Sequence, residues 1–238
     1  MQASAVSRPA ASRGALARLV RDNGLALVMF GLFAVFLVGQ AATGYRAYNA
    51  DQRAHGERPA TVGAYLTSGH FVEAVFENWE SEFLQMAAYV FFTAFLFQRG
   101  SSESKDPDAD APHPSDQDPR AARGRHEVPG PVRRGGLALL LYEHSLALAL
   151  VGLFLLSFVL HAAGGERAYN EEQRAHGGQT VSLVHFLGTS RFWFESFQNW
   201  QSEFLSVGAL LVLSIVLRQR GSPESKPVAA PHRQTGDG

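Results

Sequence analysis

The chain contains no cysteine. Disulfides, thiolate nucleophiles and cysteine-ligated metals are therefore excluded, whatever the compartment. It has no surplus of charge either. Its 21 Lys and Arg stand against 22 Asp and Glu, and no basic stripe interleaved with aromatics occurs, so nucleic acid is not an expected partner. Local signatures of enzymes are missing too: there is no Gly-x-x-x-x-Gly-Lys-Ser/Thr loop, no His-Glu-x-x-His or Glu-x-x-His pair, no calcium loop and no Gly-x-Ser-x-Gly turn. These patterns nominate no catalytic residue, no cofactor and no metal ligand, and the reading leans away from an enzyme.

Apolar residues are abundant and are gathered into four blocks. Gly24 to Gly44 and Ser145 to Gly165 each run about 21 residues without charge until Gly165, which at about 1.5 Å per residue matches a bilayer core of about 30 Å. The blocks at 83–97 and 204–217 are shorter. Apolar residues at helical spacing precede each of them (Val72, Val75, Phe76, Trp79; Trp193, Phe197, Trp200), so the helices can begin earlier and cross, with tryptophan at the water interface. Arginines before the first block and small residues after it imitate a signal peptide. Its counterpart in mid-chain favours an anchor. The middle of all four blocks lacks Asp, Glu, Lys and Arg, which counts against an ion-coupled transporter.

A shift of 121 positions lays residues 23–105 on 144–226 without a gap, with about four pairs in ten identical. The period is too long for a solenoid and suits a duplicated two-helix membrane unit. Each copy crosses an even number of times, so the copies are expected to be parallel, related by a pseudo-two-fold along the membrane normal. The expected organisation is a tail at 1–22, a first repeat at 23–105, a linker at 106–136, a second repeat at 137–226 and a tail at 227–238. About 15 of the 21 Lys and Arg fall in the tails and linker and about 6 in the inter-helix loops, which places both termini in the cytoplasm. The linker, poor in large apolar residues and rich in Asp, Pro and Arg, is expected to be disordered, as is the final tail.

Two polar phrases recur at the ends of the long blocks. "RAYNADQRAHG" at 46–56 and "RAYNEEQRAHG" at 167–177 contain no helix breaker before their closing glycine, so the first helix of each copy should run on out of the membrane and cap at Gly56 and Gly177. Thr61 and Ser182 precede short interfacial segments, and Ser68 and Ser190 are candidate N-caps for the returning helices. The other phrase is "ENWESEF" at 77–83 against "QNWQSEF" at 198–204. Asn78 with Glu82, and Asn199 with Glu203, share a helix face near hydrocarbon, where a carboxylate is costly unless paired. Arg46, Arg53 and His55, with Arg167, Arg174 and His176, are the expected partners. The preferred reading of this cluster is a structural clamp. The sharper alternative is one extracytoplasmic pocket for a metal or small ligand, shared by the repeats.

Glu73, Glu77 and Glu80 also share a face but face Phe194, Gln198 and Gln201 in the second copy, and read as a solvated flank of one copy only. His161, opposite Gln40, reads as a polar residue at headgroup level. Gly31 and Gly152 read as close helix-packing positions.

With "YNADQRAHG", "FENWESEFLQM" and "QRGSSESKD", the chain resembles a family of small bacterial membrane proteins described only as a domain of unknown function. The resemblance covers both copies and implies a membrane location and no activity. The expected protein is all-α, with four transmembrane helices from two parallel repeats in the bacterial inner membrane. The lipid bilayer is its partner, with another membrane protein or a second copy beside it. Its expected role is that of a non-enzymatic component or accessory protein, and the alternative is a small transporter or channel.

Overall fold

The computed structural model describes residues 15–111 and 113–236, so the first part of the expected N-terminal tail, residues 1–14, lies outside the described residues. The fold is all helical, and no strand occurs among the described residues. The chain forms two compact units, Met1–Leu66 and Thr67–Gly238.

The first unit consists of α1 (Ala15–Ala54) and α2 (Val62–Leu66). Helical geometry breaks once in α1, at Asn23 (φ −129°, ψ 16°), whose side-chain amide donates to Leu19 O at 3.2 Å. Past the apolar block α1 continues through the first polar phrase, and Gly56 at φ 74° ends it. The Gly56 amide donates to Arg53 O, and the Glu57 amide to Gln52 O at 2.8 Å. The chain then turns back under the control of Asn49: the Ala60 amide donates to Asn49 Oδ1 at 2.7 Å, and Asn49 Nδ2 donates to Ala60 O at 3.2 Å. One side chain thus satisfies both polar groups of a loop residue that would otherwise be unpaired. Tyr65 of α2 lands over Gly44, where an added Cβ would lie 2.1 Å from the tyrosine oxygen.

The second unit holds α3 (Gly69–Phe92), α4 (Gly130–Arg134), α5 (Gly136–Glu143), α6 (Ser145–Ala175), α7 (Leu183–Phe186) and α8 (Ser190–Val216). Here α6 ends at Gly177, φ 70°. Asn170 brackets Val181 as Asn49 brackets Ala60, with bonds of 2.7 and 2.9 Å. Phe186 of α7 covers Gly165. Ser68 caps α3 as the sequence predicts, but α8 is capped by Thr189 rather than Ser190. The core of this end is aromatic: Phe186 and Phe192 are fully buried around Ala162, with Phe158 and Tyr169 against them.

The crossing of α3 and α6 fixes the site described below. A Cβ on Gly164 would lie 2.5 Å from the Glu73 amide nitrogen, and one on Gly69 would lie 2.4 Å from that of Ala168. The backbones are in direct contact. By contrast, Gly31 and Gly152 have nothing within 4 Å of an added Cβ, so the packing role expected of them falls instead to Gly69, Gly164 and Gly165.

Three helices, α1, α6 and α8, are long and apolar enough to cross a membrane. The third of the expected blocks in length, 83–97, does not stay helical to its end. Helix α3 stops at Phe92, where Thr93 Oγ1 donates to Tyr89 O at 3.0 Å and Lys105 Nζ donates to Ala94 O at 2.8 Å. Lys226 treats the end of α8 the same way, donating to Ile215 O at 3.3 Å and also to Gly100 O, His232 O and Gln234 O. Lys226 thus meets a last-turn carbonyl of α8, and Lys105 a carbonyl in the turn just past α3. Burial, with the Arg218 guanidinium nearby, pulls the Lys226 pKa below the usual lysine range.

Within the linker and the tail, local turns and contacts are formed. Helical turns occur at Pro114–Asp116 and Pro119–Ala122, each begun by a side-chain cap and a proline. Lys105 pairs with Asp116 at 2.8 Å, and the tail reaches the turn after α3, where the Gly100 amide donates to Thr235 Oγ1 at 2.9 Å and the Gly236 amide donates to Ser101 O at 2.8 Å.

Candidate functional site: a buried carboxylate and histidine cluster

The glycine crossing turns the face of α3 that carries Glu73 and Glu80 inward, against α6 and α8. Glu80 is fully buried and Glu73 is 7% exposed, so this face is no solvated flank. His161 stands one helical turn before Gly164 on α6, about 24 Å from the start of that helix. It too is fully buried.

Both oxygens of Glu80 are used. His161 Nδ1 donates to Oε2 at 2.7 Å, and Trp200 Nε1 of α8 donates to Oε1 at 2.8 Å. With Nδ1 as the donor to Glu80, a neutral ring presents its lone pair at Nε2. The ring is further held against Phe192, centroid to centroid 4.9 Å. Nε2 is left facing Glu195 Oε2 at 3.7 Å, too far for a hydrogen bond. Both atoms are buried without a hydrogen-bond partner. Glu77 completes the group: its carboxylate, His161 and Glu195 offer one atom each, all within 4.8 Å of one another.

Arg191 bounds the cluster toward solvent. Its Nε donates to Glu195 Oε1 at 3.1 Å, and one terminal nitrogen donates to Glu172 Oε2 at 2.6 Å. The other lies 3.9 Å from Glu73 Oε1, which is itself buried without a hydrogen-bond partner. Five carboxylates (Glu73, Glu77, Glu80, Glu195 and, at the exposed rim, Glu172) thus converge on one guanidinium and one imidazole. A carboxylate surplus in a largely dehydrated place favours capture of a cation, whether proton or metal ion.

The residues singled out in the two polar phrases lie elsewhere. Arg46, Arg53 and His55 are exposed on α1 or just past it, with His55 Nδ1 3.0 Å from Asp51 O. Arg167, Arg174 and His176 are exposed at the end of α6, His176 Nδ1 lying 2.9 Å from Glu172 O. Asn78 and Asn199 donate to carbonyls of their own helices, Ala74 O and Glu195 O. Glu82 is exposed and Glu203 half-buried, close enough for their charges to repel. The buried cluster is made from other residues, of which Glu195 and Arg191 carried no local motif. One signal was present: in the 121-residue alignment of the sequence with itself, Glu77, Glu80 and His161 stand opposite Gln198, Gln201 and Gln40, so ionisable groups mark places where the aligned segments differ.

The family described as Domain of unknown function (DUF6766) matches residues 16–237. No curated protein and no solved structure matches the chain.

Proposed function

Since the chain belongs to the DUF6766 family, whose description carries no function, we propose its role on physical grounds. It is an integral protein of the bacterial inner membrane with four crossings and both termini in the cytoplasm, serving as a non-enzymatic membrane component or accessory protein. The carrying observation is the apolar surface of α6 and α8. Leu146, Leu155, Leu156, Leu205 and Val212 are each more than half exposed along helices of spanning length. Water would penalise so continuous an apolar surface, and lipid tails would not.

The fourth crossing is α3. Its 24 residues reach about 36 Å, and two of its carboxylates, Glu73 and Glu80, turn into the protein rather than toward lipid. Duplication is supported by matched local devices at positions 121 apart: Asn49 and Asn170 on their loops, Tyr65 and Phe186 over glycine, Lys105 and Lys226 on helix ends. The excess of Lys and Arg in the linker and tails supports the orientation. The bilayer is then the first partner, with a second copy or another membrane protein against the apolar faces.

The absence of native cysteine makes the test clean. Gln52→Cys and Gln173→Cys should react with an impermeant thiol reagent added to intact cells, and Ser115→Cys should react only after lysis. Labelling of position 115 from outside would overturn both the orientation and the fourth crossing.

A further inference from the structure

We propose that Glu77, His161 and Glu195 form a binding site for one divalent first-row transition-metal ion, with Glu80 as the residue that orients the histidine. The inference does not depend on the topology given above. Two ligand atoms at about 2.1 Å from a tetrahedral ion lie about 3.4 Å apart. His161 Nε2 and Glu195 Oε2 are separated by 3.7 Å, and with Glu77 the three donors fall within 4.8 Å, so side-chain adjustments of about an ångström bring all three onto one ion.

The unsatisfied atoms point the same way. Nε2 and Oε2 are buried, lack hydrogen-bond partners and face each other. An ion between them removes two desolvated orphans together. Behind the histidine, Glu80 accepts from Nδ1 and is itself fixed by Trp200, which directs the Nε2 lone pair toward the gap. A carboxylate behind a ligating imidazole sets its tautomer and raises its basicity. Arg191 holds the far oxygen of Glu195, leaving Oε2 as the donor.

The donor set, one imidazole nitrogen and two carboxylate oxygens with no sulfur, suits Zn²⁺, Mn²⁺, Fe²⁺ or Co²⁺ and disfavours Cu⁺. The Glu195 side chain is 21% exposed while His161 and Glu80 are fully buried, so the ion arrives from the Glu195 side and keeps a position open there. Motif searching misses such a site because its ligands come from three helices, far apart in sequence, instead of one local repeat.

The test uses the full-length chain in detergent, with affinity tag removed and metal stripped by a chelator, titrated with Zn²⁺ against a chromophoric competitor. One equivalent per chain is expected. Glu195→Gln and His161→Gln should abolish that equivalent, Glu80→Gln should weaken it about 10- to 100-fold, and His176→Gln, at an exposed position, should leave it intact. No stoichiometric binding, or binding that survives both Glu195→Gln and His161→Gln, overturns the proposal. Should those variants fail to fold, X-ray absorption of the unsubstituted protein loaded with Co²⁺ decides. A first shell containing one imidazole and otherwise oxygen is expected, and a shell without imidazole refutes it.

Discussion

Replacing Gly164 with alanine adds a single methyl group where α6 and α3 touch backbone to backbone. The new carbon would lie 2.5 Å from the Glu73 nitrogen and 3.0 Å from both Glu73 Cα and Val72 C, where ordinary contact is 3.4–4 Å. None of these is the tip of a flexible side chain. Helix α3 must therefore retreat by about 1 Å, carrying Glu80 with it and stretching the 2.7 Å bond to His161 past useful length. Overpacking costs about 1–3 kcal/mol, and a lost hydrogen bond to a charged group about 1.5–3 kcal/mol. Alanine returns about 1 kcal/mol of helix propensity, for a net loss of about 1.5–5 kcal/mol. Gly152→Ala is the internal control, because nothing lies within 4 Å of its new carbon and only the propensity gain applies. Thermal or SDS-induced unfolding of the purified proteins, followed by tryptophan fluorescence, measures both. A Gly164→Ala protein as stable as Gly152→Ala would refute the close crossing and the placement of Glu80 that follows from it.

Asn170→Ala removes the two bonds that bracket Val181 and should cost about 1–3 kcal/mol, visible as faster proteolysis of residues 176–182 in an otherwise folded protein; unchanged cleavage would remove Asn170 as the loop's anchor. Burial first, and Glu224 nearby, hold the Glu103 carboxyl above its usual range, with Tyr89 OH donating to it at 3.1 Å. The folded state therefore binds this proton more tightly than the unfolded one. Its contribution is fully present below the ordinary carboxylate pKa and is lost as pH rises through the folded value. The unfolding midpoint should fall across that interval, and Glu103→Gln should flatten the fall; an identical pH profile in the variant would assign the effect to other groups.

The helices were largely legible in the sequence because their causes are local. Apolar runs of about 21 residues, Gly56 and Gly177 as terminators and Ser68 as a cap depend only on neighbours along the chain. The repeated phrases were legible as repeats but not as devices. Nothing local distinguishes Asn49 and Asn170, which hold their loops, from Asn78 and Asn199, which bond to their own helices. The buried cluster was least legible. Glu73 and Glu80 sit on a face that periodicity alone sends to solvent, and only the contact of Gly69 with Gly164 reverses that assignment. Burial of a charge is a property of what packs over it, and residues 80, 161 and 195 meet through three helices.

The cage around Lys226 also constrains the order in which this molecule can assemble. The ammonium group gathers carbonyls from Gly100, Ile215, His232 and Gln234, and the Gly100 amide is satisfied by Thr235. During synthesis, residues 100–104 appear more than a hundred residues before the segment that completes their bonds. Contacts so distant in sequence form late, because the intervening loop must close before any of them is rewarded. The turn after α3 therefore gains its bonds to the tail only once α6, α7 and α8 have been made, and Lys226 is the group that closes them.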